Sequence, residues 1–268
     1  MLTLFFWLAS AVITTLLYFA FPSLHLAWIL PLLIGFFLAF CLLFVVYLEI
    51  SSFFLPKDPP KEKPRPYAFH TIRLALPWFI ALLGTRIRVK GREKLPPEPT
   101  VLVCNHRSAF DPVFLICGFK RRKMAFVSKA SVLKYPFIGP YMNSAACVFI
   151  DRDSPMQSMR AIHRAAGYVK NAGIDYGIFP EGTRSHDGTL LDFKEGAFVM
   201  AKKAGAPITV LVMEGSETAI SGLPFHRPNI RITVVDVISK EEVAALTNAE
   251  ISARVRTLME SALPAKNN

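Results

Sequence analysis

The sequence predicts an α/β domain, a mixed and largely parallel sheet flanked by helices, preceded by an N-terminal transmembrane hairpin of two helices. Three observations predict it. Residues 1–48 contain no Asp, Glu, Lys or Arg. From residue 87 onward, short β-rich runs alternate with helical patterns, as in α/β sheets. Polar clusters then follow directly on three of those runs, where open α/β sheets place their sites.

The hairpin accounts for the composition. Hydrophobic residues make up 52% of the 268 and charged residues 19%, more apolar than an average soluble domain. Phe21-Pro22-Ser23-Leu24-His25 divides the uncharged stretch into 2–20 and 26–48, each near the roughly 20 apolar residues that cross a bilayer. A cleaved signal peptide fits poorly, because a basic n-region is missing and the apolar length exceeds an h-region. A buried soluble hairpin is the alternative. Lys57, Lys61, Lys63, Arg65 and Arg73 follow closely. Positive flanks stay cytoplasmic, so both ends of the hairpin, and the rest of the chain, are expected on the cytoplasmic side of the cell (inner) membrane.

Three parts result: 1–50, the hairpin; 51–86, a stiff Pro- and charge-rich linker with a further helix; and 87–268, the α/β domain. The apolar run 74–83 is too short to span. Trp78 and Arg73 suit a helix lying in the membrane interface, and a core helix kinked at Pro77 is the alternative. Strands are expected at 87–90, 101–104, 124–128, 147–150, 176–179, 208–213 and 230–237. Helices are expected at 112–118, 156–171 and 194–204, the last stopped by Gly205 and Pro207. A C-terminal pair is started by the capping boxes Ser239-x-x-Glu242 and Thr247-x-x-Glu250.

Net charge is +11, almost all of it outside the hairpin. The chain has no recognisable nucleic-acid-binding motif, and a bilayer-tethered basic protein fits anionic lipid head groups better. Lys120-Arg121-Arg122-Lys123 reads either as a solvated loop or as a membrane-facing patch. Cys41, Cys104, Cys117 and Cys147 show no metal spacing and read as buried, reduced thiols. Cys104, beside a polar cluster, is the one to weigh as a nucleophile.

The first cluster, residues 105–112, reads NHRSAFDP. Asp111-Pro112 has the form of a helix cap and first turn. The same carboxylate could instead hold the His106 Nδ1–H, leaving Nε2 as a general base. A Ser-centred G-x-S-x-G elbow is absent from the chain, so the nucleophile is expected to be a substrate hydroxyl. The third cluster, 179–185, reads FPEGTRS. Its Gly182 permits a tight turn, and Glu181 and Arg184 could form either a surface ion pair or a site for hydroxyls and phosphate.

Together these blocks resemble the lysophosphatidic acid acyltransferase family of PlsC-like glycerolipid acyltransferases. NHRSAFDP resembles its N-H-x-four-D block and FPEGTRS its glycerol- and phosphate-binding block. KASVLKYPFIGPYMNSAACVFIDR, ending in Phe149-Ile150-Asp151-Arg152, resembles the block between them. Ala206-Pro207-Ile208 resembles the fourth, where Thr209-Val210 stand in place of a usual second proline, a departure that bears on the acyl side. The match covers about residues 85–215.

The resemblance implies that His106 is the base and Asp111 its orienting partner. Glu181, Gly182 and Thr183 would help bind the acceptor, and Arg152, Arg184 and Lys129 its phosphate. It implies transfer of a fatty acyl group from acyl-CoA or acyl carrier protein, as co-substrate, to the sn-2 hydroxyl of lysophosphatidic acid. Neither a resident cofactor nor a metal is expected. Partners would be the lysophospholipid acceptor, the donor and the anionic bilayer, with no nucleic acid. Rival readings are transfer to glycerol 3-phosphate or another lysolipid, a phospholipid transacylase, and an inactive membrane-anchored lipid-binding protein.

Overall fold

The computed structural model describes residues 2–21, 23, 25–151, 154–185, 187–219 and 227–263. It separates into two compact units, Met1–Pro56 and Lys57–Asn268.

In the first unit, α1 (Leu2–Ala20) and α2 (Ile29–Phe53, after a 3-10 turn at Leu26–Trp28) pack together. Both are long and apolar enough to cross a membrane. Their contact is aromatic: Trp7 stacks on Phe37 at 4.2 Å and Phe6 on Phe40 at 5.7 Å. Most of their other large apolar side chains face outward, an arrangement that suits lipid as the surrounding solvent. Within the dividing segment 21–25, Pro22 and Leu24 lie outside the described residues. The second helix runs past the expected end at 48, because Ser51 and Ser52 return their hydroxyls to the carbonyls of Leu48 and Glu49. Their polar groups are thereby satisfied within the helix.

The second unit begins with α3 (Pro66–Leu82), which packs on α4 and α5 defined below. Phe79 stacks near Phe110 at 5.9 Å and Tyr67 near Tyr141 at 6.4 Å. Trp78, a candidate interfacial anchor, instead turns inward and is buried with Ile80, while Tyr67, Leu74 and Leu82 remain exposed. One face of α3 is thus core.

All seven expected strands form: β1 (Arg86–Lys90), β2 (Val101–Cys104), β3 (Met124–Lys129), β4 (Val148–Ile150), β5 (Asp175–Ile178), β6 (Ile208–Glu214) and β7 (Asn229–Ile238). They make one sheet in the order β1-β7-β6-β2-β5-β3-β4. Among the described residues only β6 and β7 pair antiparallel; the other pairs are parallel. The central strands β2 and β6 are buried along nearly their whole length, as expected where helices cover both faces.

The helices are α4 (Asp111–Gly118), α5 (Ile138–Ser144), α6 (Pro155–Ala172), α7 (Val199–Ala204), α8 (Lys240–Ala245) and α9 (Asn248–Ala262). Both capping boxes are formed, at Ser239/Glu242 and Thr247/Glu250. One expectation needs correction. The helix expected at 194–204 is a 3-10 turn, Glu195–Ala197, followed by the short α7. The Lys120–Lys123 cluster precedes β3 and therefore sits at the amino edge of the parallel strands. There Arg122 is committed to Asp175 and to the carbonyls of Pro96 and Glu98.

Candidate active site

The loop after β2 leaves the sheet under tight control. Asn105 is buried and its amide acts as one more rung of the ladder to β6. It donates to the Met213 carbonyl at 2.9 Å and accepts from the Met213 N–H at 2.7 Å. His106 follows, gripped from both sides by the loop after β5. Its N–H donates to Glu181 Oε1 at 2.8 Å, and its carbonyl accepts from the Ser185 N–H at 2.8 Å.

The ring of His106 is set by two contacts. Nδ1 lies 2.8 Å from Asp111 Oδ2. Phe179 stacks against it, with centroids 4.2 Å apart and planes 20° from parallel. Oδ2 is an acceptor that also takes the N–H groups of Arg107 and Ser108, at 2.8 and 2.9 Å. Nδ1 must therefore carry the proton, which makes Nε2 the free lone pair. The imidazole side chain is 19% exposed while Asp111 is fully buried. A substrate can reach the base but not its partner.

Asp111 does not cap α4 as its sequence position led one to expect. It is the first helical residue, after Phe110, and its carboxylate turns back onto its own preceding loop. The capping motif is thus used to bind His106 and two backbone N–H groups. Oδ1 is buried without a hydrogen-bond partner among the described residues.

Glu181 is also buried, and each of its oxygens accepts a backbone N–H, from His106 and, at 3.1 Å, from Leu191. Burial pushes its pKa up, while those two bonds pull it down. Gly182 adopts the left-handed conformation, φ 68°, which turns the loop so that Thr183 and Arg184 emerge exposed. Lys129 is exposed at the end of β3, the neighbour of β5. The structure therefore brings His106, Asp111 and Glu181 into direct contact, with Thr183 and Arg184 on the adjoining loop and Lys129 one strand further on. Arg152 lies outside the described residues. Cys104 is buried, with its thiol pushed well above the ordinary range, chiefly by burial.

Several residues at this site carry no role in the sequence reading. Phe179 supports the His106 ring, and Phe126 in turn lies parallel to Phe179 at 6.4 Å. Phe126 fits only because its β5 neighbour is Gly177; a Cβ there would collide with the Phe126 ring. Arg107 donates to the Gly188 carbonyl at 2.7 Å and ties the His106 loop to the chain beyond FPEGTRS. An aromatic at the head of FPEGTRS and a glycine two residues earlier were the available signals, and both have ordinary uses in strands.

The site therefore combines a buried carboxylate, an imidazole held through Nδ1 with its side chain partly exposed, and an exposed arginine on the loop after β5. An acyltransferase family model matches residues 86–214. A 1-acyl-sn-glycerol-3-phosphate acyltransferase of Saccharomyces cerevisiae is 29% identical over 68% of this chain and 61% of its own length. The human alpha form is 33% identical over 53% of this chain and 50% of its own, and a Borreliella burgdorferi enzyme of the same name 28% over 71% and 80%. The chain thus spans about three fifths of the yeast relative. The crystal structure of the 1-acyl-sn-glycerophosphate acyltransferase PlsC from Thermotoga maritima is similar, with a TM-score of 0.62 and 26% identity over 82% of this chain and 87% of that one. Residues 86–214 of this chain thus match an acyltransferase domain, and the chain is similar to the lysophosphatidic acid acyltransferases.

Proposed function

We propose that the protein transfers a fatty acyl group from a thioester, acyl-CoA or acyl carrier protein, to the sn-2 hydroxyl of lysophosphatidic acid, giving phosphatidic acid and the free thiol. The observation that carries the reading is the His106–Asp111 pair, with its free Nε2 on the carboxyl edge of the sheet. Nε2 removes the hydroxyl proton as the oxygen attacks the thioester carbonyl. The tetrahedral oxyanion collapses with cleavage of the C–S bond, and the imidazolium returns its proton to the departing thiolate. Asp111 stabilises the imidazolium between these steps. A thioester is already activated, so a base and a positioned hydroxyl supply most of what is needed. No resident cofactor or metal enters this scheme.

Arg184, with Arg152 and Lys129, binds the acceptor phosphate, and Gly182 and Thr183 face the glycerol. Glu181 acts mainly on the loop that carries His106. The two apolar helices and the basic segment behind them support an integral membrane protein whose catalytic unit lies on the cytoplasmic side of the inner membrane. The decisive experiment is acyl transfer by the purified protein, with both donors, to lysophosphatidic acid and to an acceptor lacking the phosphate. Arg184→Lys should raise the apparent KM for the phosphorylated acceptor by about tenfold, because an ammonium lacks the guanidinium fork. It should leave donor KM and the phosphate-free acceptor unchanged. Equal losses on both acceptors would remove the phosphate role.

A further inference from the structure

The edge of the sheet that carries His106 also carries a surface that acyl transfer does not use. Among the described residues of the second unit, the exposed large apolar side chains are confined to three places. They are α3, the segment between β3 and α5 (Leu133, Tyr135, Ile138), and the first turns of α6 (Met156, Met159). The last two follow directly on the carboxyl ends of β3 and β4, the edge pair of the sheet. They are joined there, since the 3-10 turn Ala130–Lys134 packs on both β4 and α5, and α6 packs on β4. The segment is stiff. The Gly139 N–H bonds the Tyr135 carbonyl, and a Cβ at Gly139 would collide with the Leu133 backbone. Five apolar side chains are therefore held out into solvent by ordered backbone, with Tyr135 55% and Met156 64% exposed.

The surrounding charge is mostly positive. Lys129, Lys134, Arg160 and Arg164 are exposed, and the acidic residues of 124–172 are Asp151 and Asp153 alone, between the two segments. By contrast α8 and α9 carry Glu241, Glu242, Glu250 and Glu260 and expose no large apolar side chain. Apolar and aromatic tips ringed by cations fit an anionic lipid surface, where the tips enter the headgroup boundary and the cations meet phosphates.

We propose that Leu133, Tyr135 and Ile138, with Met156 and Met159, form a bilayer-docking surface that seats the His106 edge of the catalytic unit on anionic lipid, independently of the apolar hairpin. The inference rests on the proposed reaction only for the choice of acceptor. Docking would let a lysophospholipid pass from the bilayer to the open Nε2 without crossing water.

The test uses the full-length protein in vesicles of phosphatidylcholine with phosphatidylglycerol. The variant carries Leu133→Ser, Tyr135→Ser and Ile138→Ser. It should lose about tenfold or more in kcat/KM on a long-chain lysophosphatidic acid in the vesicle, the effect of withdrawing three apolar side chains from lipid. On a short-chain, water-soluble lysophosphatidic acid its rate should stay within about twofold of wild type, since chemistry and phosphate binding are untouched. Equal loss on both acceptors, or no loss on either, overturns the proposal. A second arm does not need the activity. In Tyr135→Trp, the fluorescence added above that of the parent should be quenched by brominated lipid in the vesicle, and that of Arg121→Trp, at the amino edge, should not. If the fluorescence added by Tyr135→Trp is blue-shifted but unquenched, protein (the hairpin or a partner) covers the surface, and the proposal is overturned too. Wild type that acylates neither acceptor would defeat the proposed reaction while leaving the quenching result to decide the docking.

Discussion

Two buried aspartates sit at opposite edges of the same parallel strands, and they are used in opposite ways. At the amino edge, Asp175 accepts from Arg122 through both oxygens and from the Thr100 N–H, while Arg122 also binds the carbonyls of Pro96 and Glu98. Its charge is met by a charge. The pair raises the pKa of Arg122, foremost through the hydrogen bond to Asp175. At the carboxyl edge, Asp111 gathers three donors on Oδ2 and leaves Oδ1 bare, and the ring it holds presents a free Nε2. A substrate can meet the free Nε2 of His106, whereas Asp111 itself is fully buried. Similar chemistry thus gives a closed ion pair at one edge and a held imidazole with a free Nε2 at the other.

The comparison breaks if substitutions at the two edges have the same consequence. The largest effect is expected for His106→Ala and Asp111→Asn. Each should lower acyl transfer by on the order of 10²–10⁴-fold, the usual worth of a positioned general base. Thermal unfolding in detergent should stay close to wild type. Asp111→Asn keeps the shape but removes the charge that stabilises the imidazolium. Turnover near wild type in either variant would end the base assignment.

Asp175→Ala should do the reverse. Leaving Arg122 without its partner should lower stability by about 3–5 kcal/mol, read as a fall in the unfolding midpoint, while the molecules that remain folded turn over normally. A catalytic defect exceeding the loss of folded protein would mean that the amino edge reaches the chemistry.

Glu181 sharpens the comparison, because it lies at the open edge yet both its oxygens are engaged by backbone. Glu181→Gln should weaken the grip on the His106 loop by about 1–3 kcal/mol, through one mismatched N–H, and appear in kcat with little change in acceptor KM. A rise in acceptor KM alone would instead put Glu181 on the acceptor.

The smallest effect is expected at Cys104, which stands beside His106 but belongs with the closed groups. Its thiol is buried and turned toward Asn105 Oδ1. Burial raises its pKa well above the ordinary range and pushes Cys117 and Cys147 up to about 12. Almost no thiolate therefore exists at neutral pH. Cys104→Ala should cost about 1 kcal/mol of packing and keep acyl transfer. Labelled acyl recovered on Cys104 would contradict this.

Much of this architecture was legible in local sequence. The uncharged stretch 1–48 marks two helices by length alone, and the β-rich runs flanked by turn residues mark all seven strands to within a residue or two. Ser239 and Thr247 start α8 and α9 because a capping box is satisfied within four residues. α5 was missed: its seven residues hold Gly139 and Pro140, whose intrinsic preference is against helix, and packing on α3 and the preceding turn overrides it. Asp111 was seen as a partner for His106, but its local signal, Asp-Pro, speaks as strongly for a cap.

The sequence by itself determined the helices and strands, the chemical types at the site and their placement after strand ends, since these depend on periodicity, capping and residue chemistry over a few neighbours. Tertiary structure alone decided which strand ends meet. β5 is inserted between β2 and β3, which sets FPEGTRS beside NHRSAFDP, closes Glu181 onto the His106 N–H and lays Phe179 on the imidazole. That order depends on contacts between residues far apart in sequence, such as His106 with Glu181, 75 positions on, and Gly177 making room for Phe126. No local pattern encodes a contact at that separation; it forms only when the packed sheet makes it the arrangement that buries the core and satisfies the backbone together.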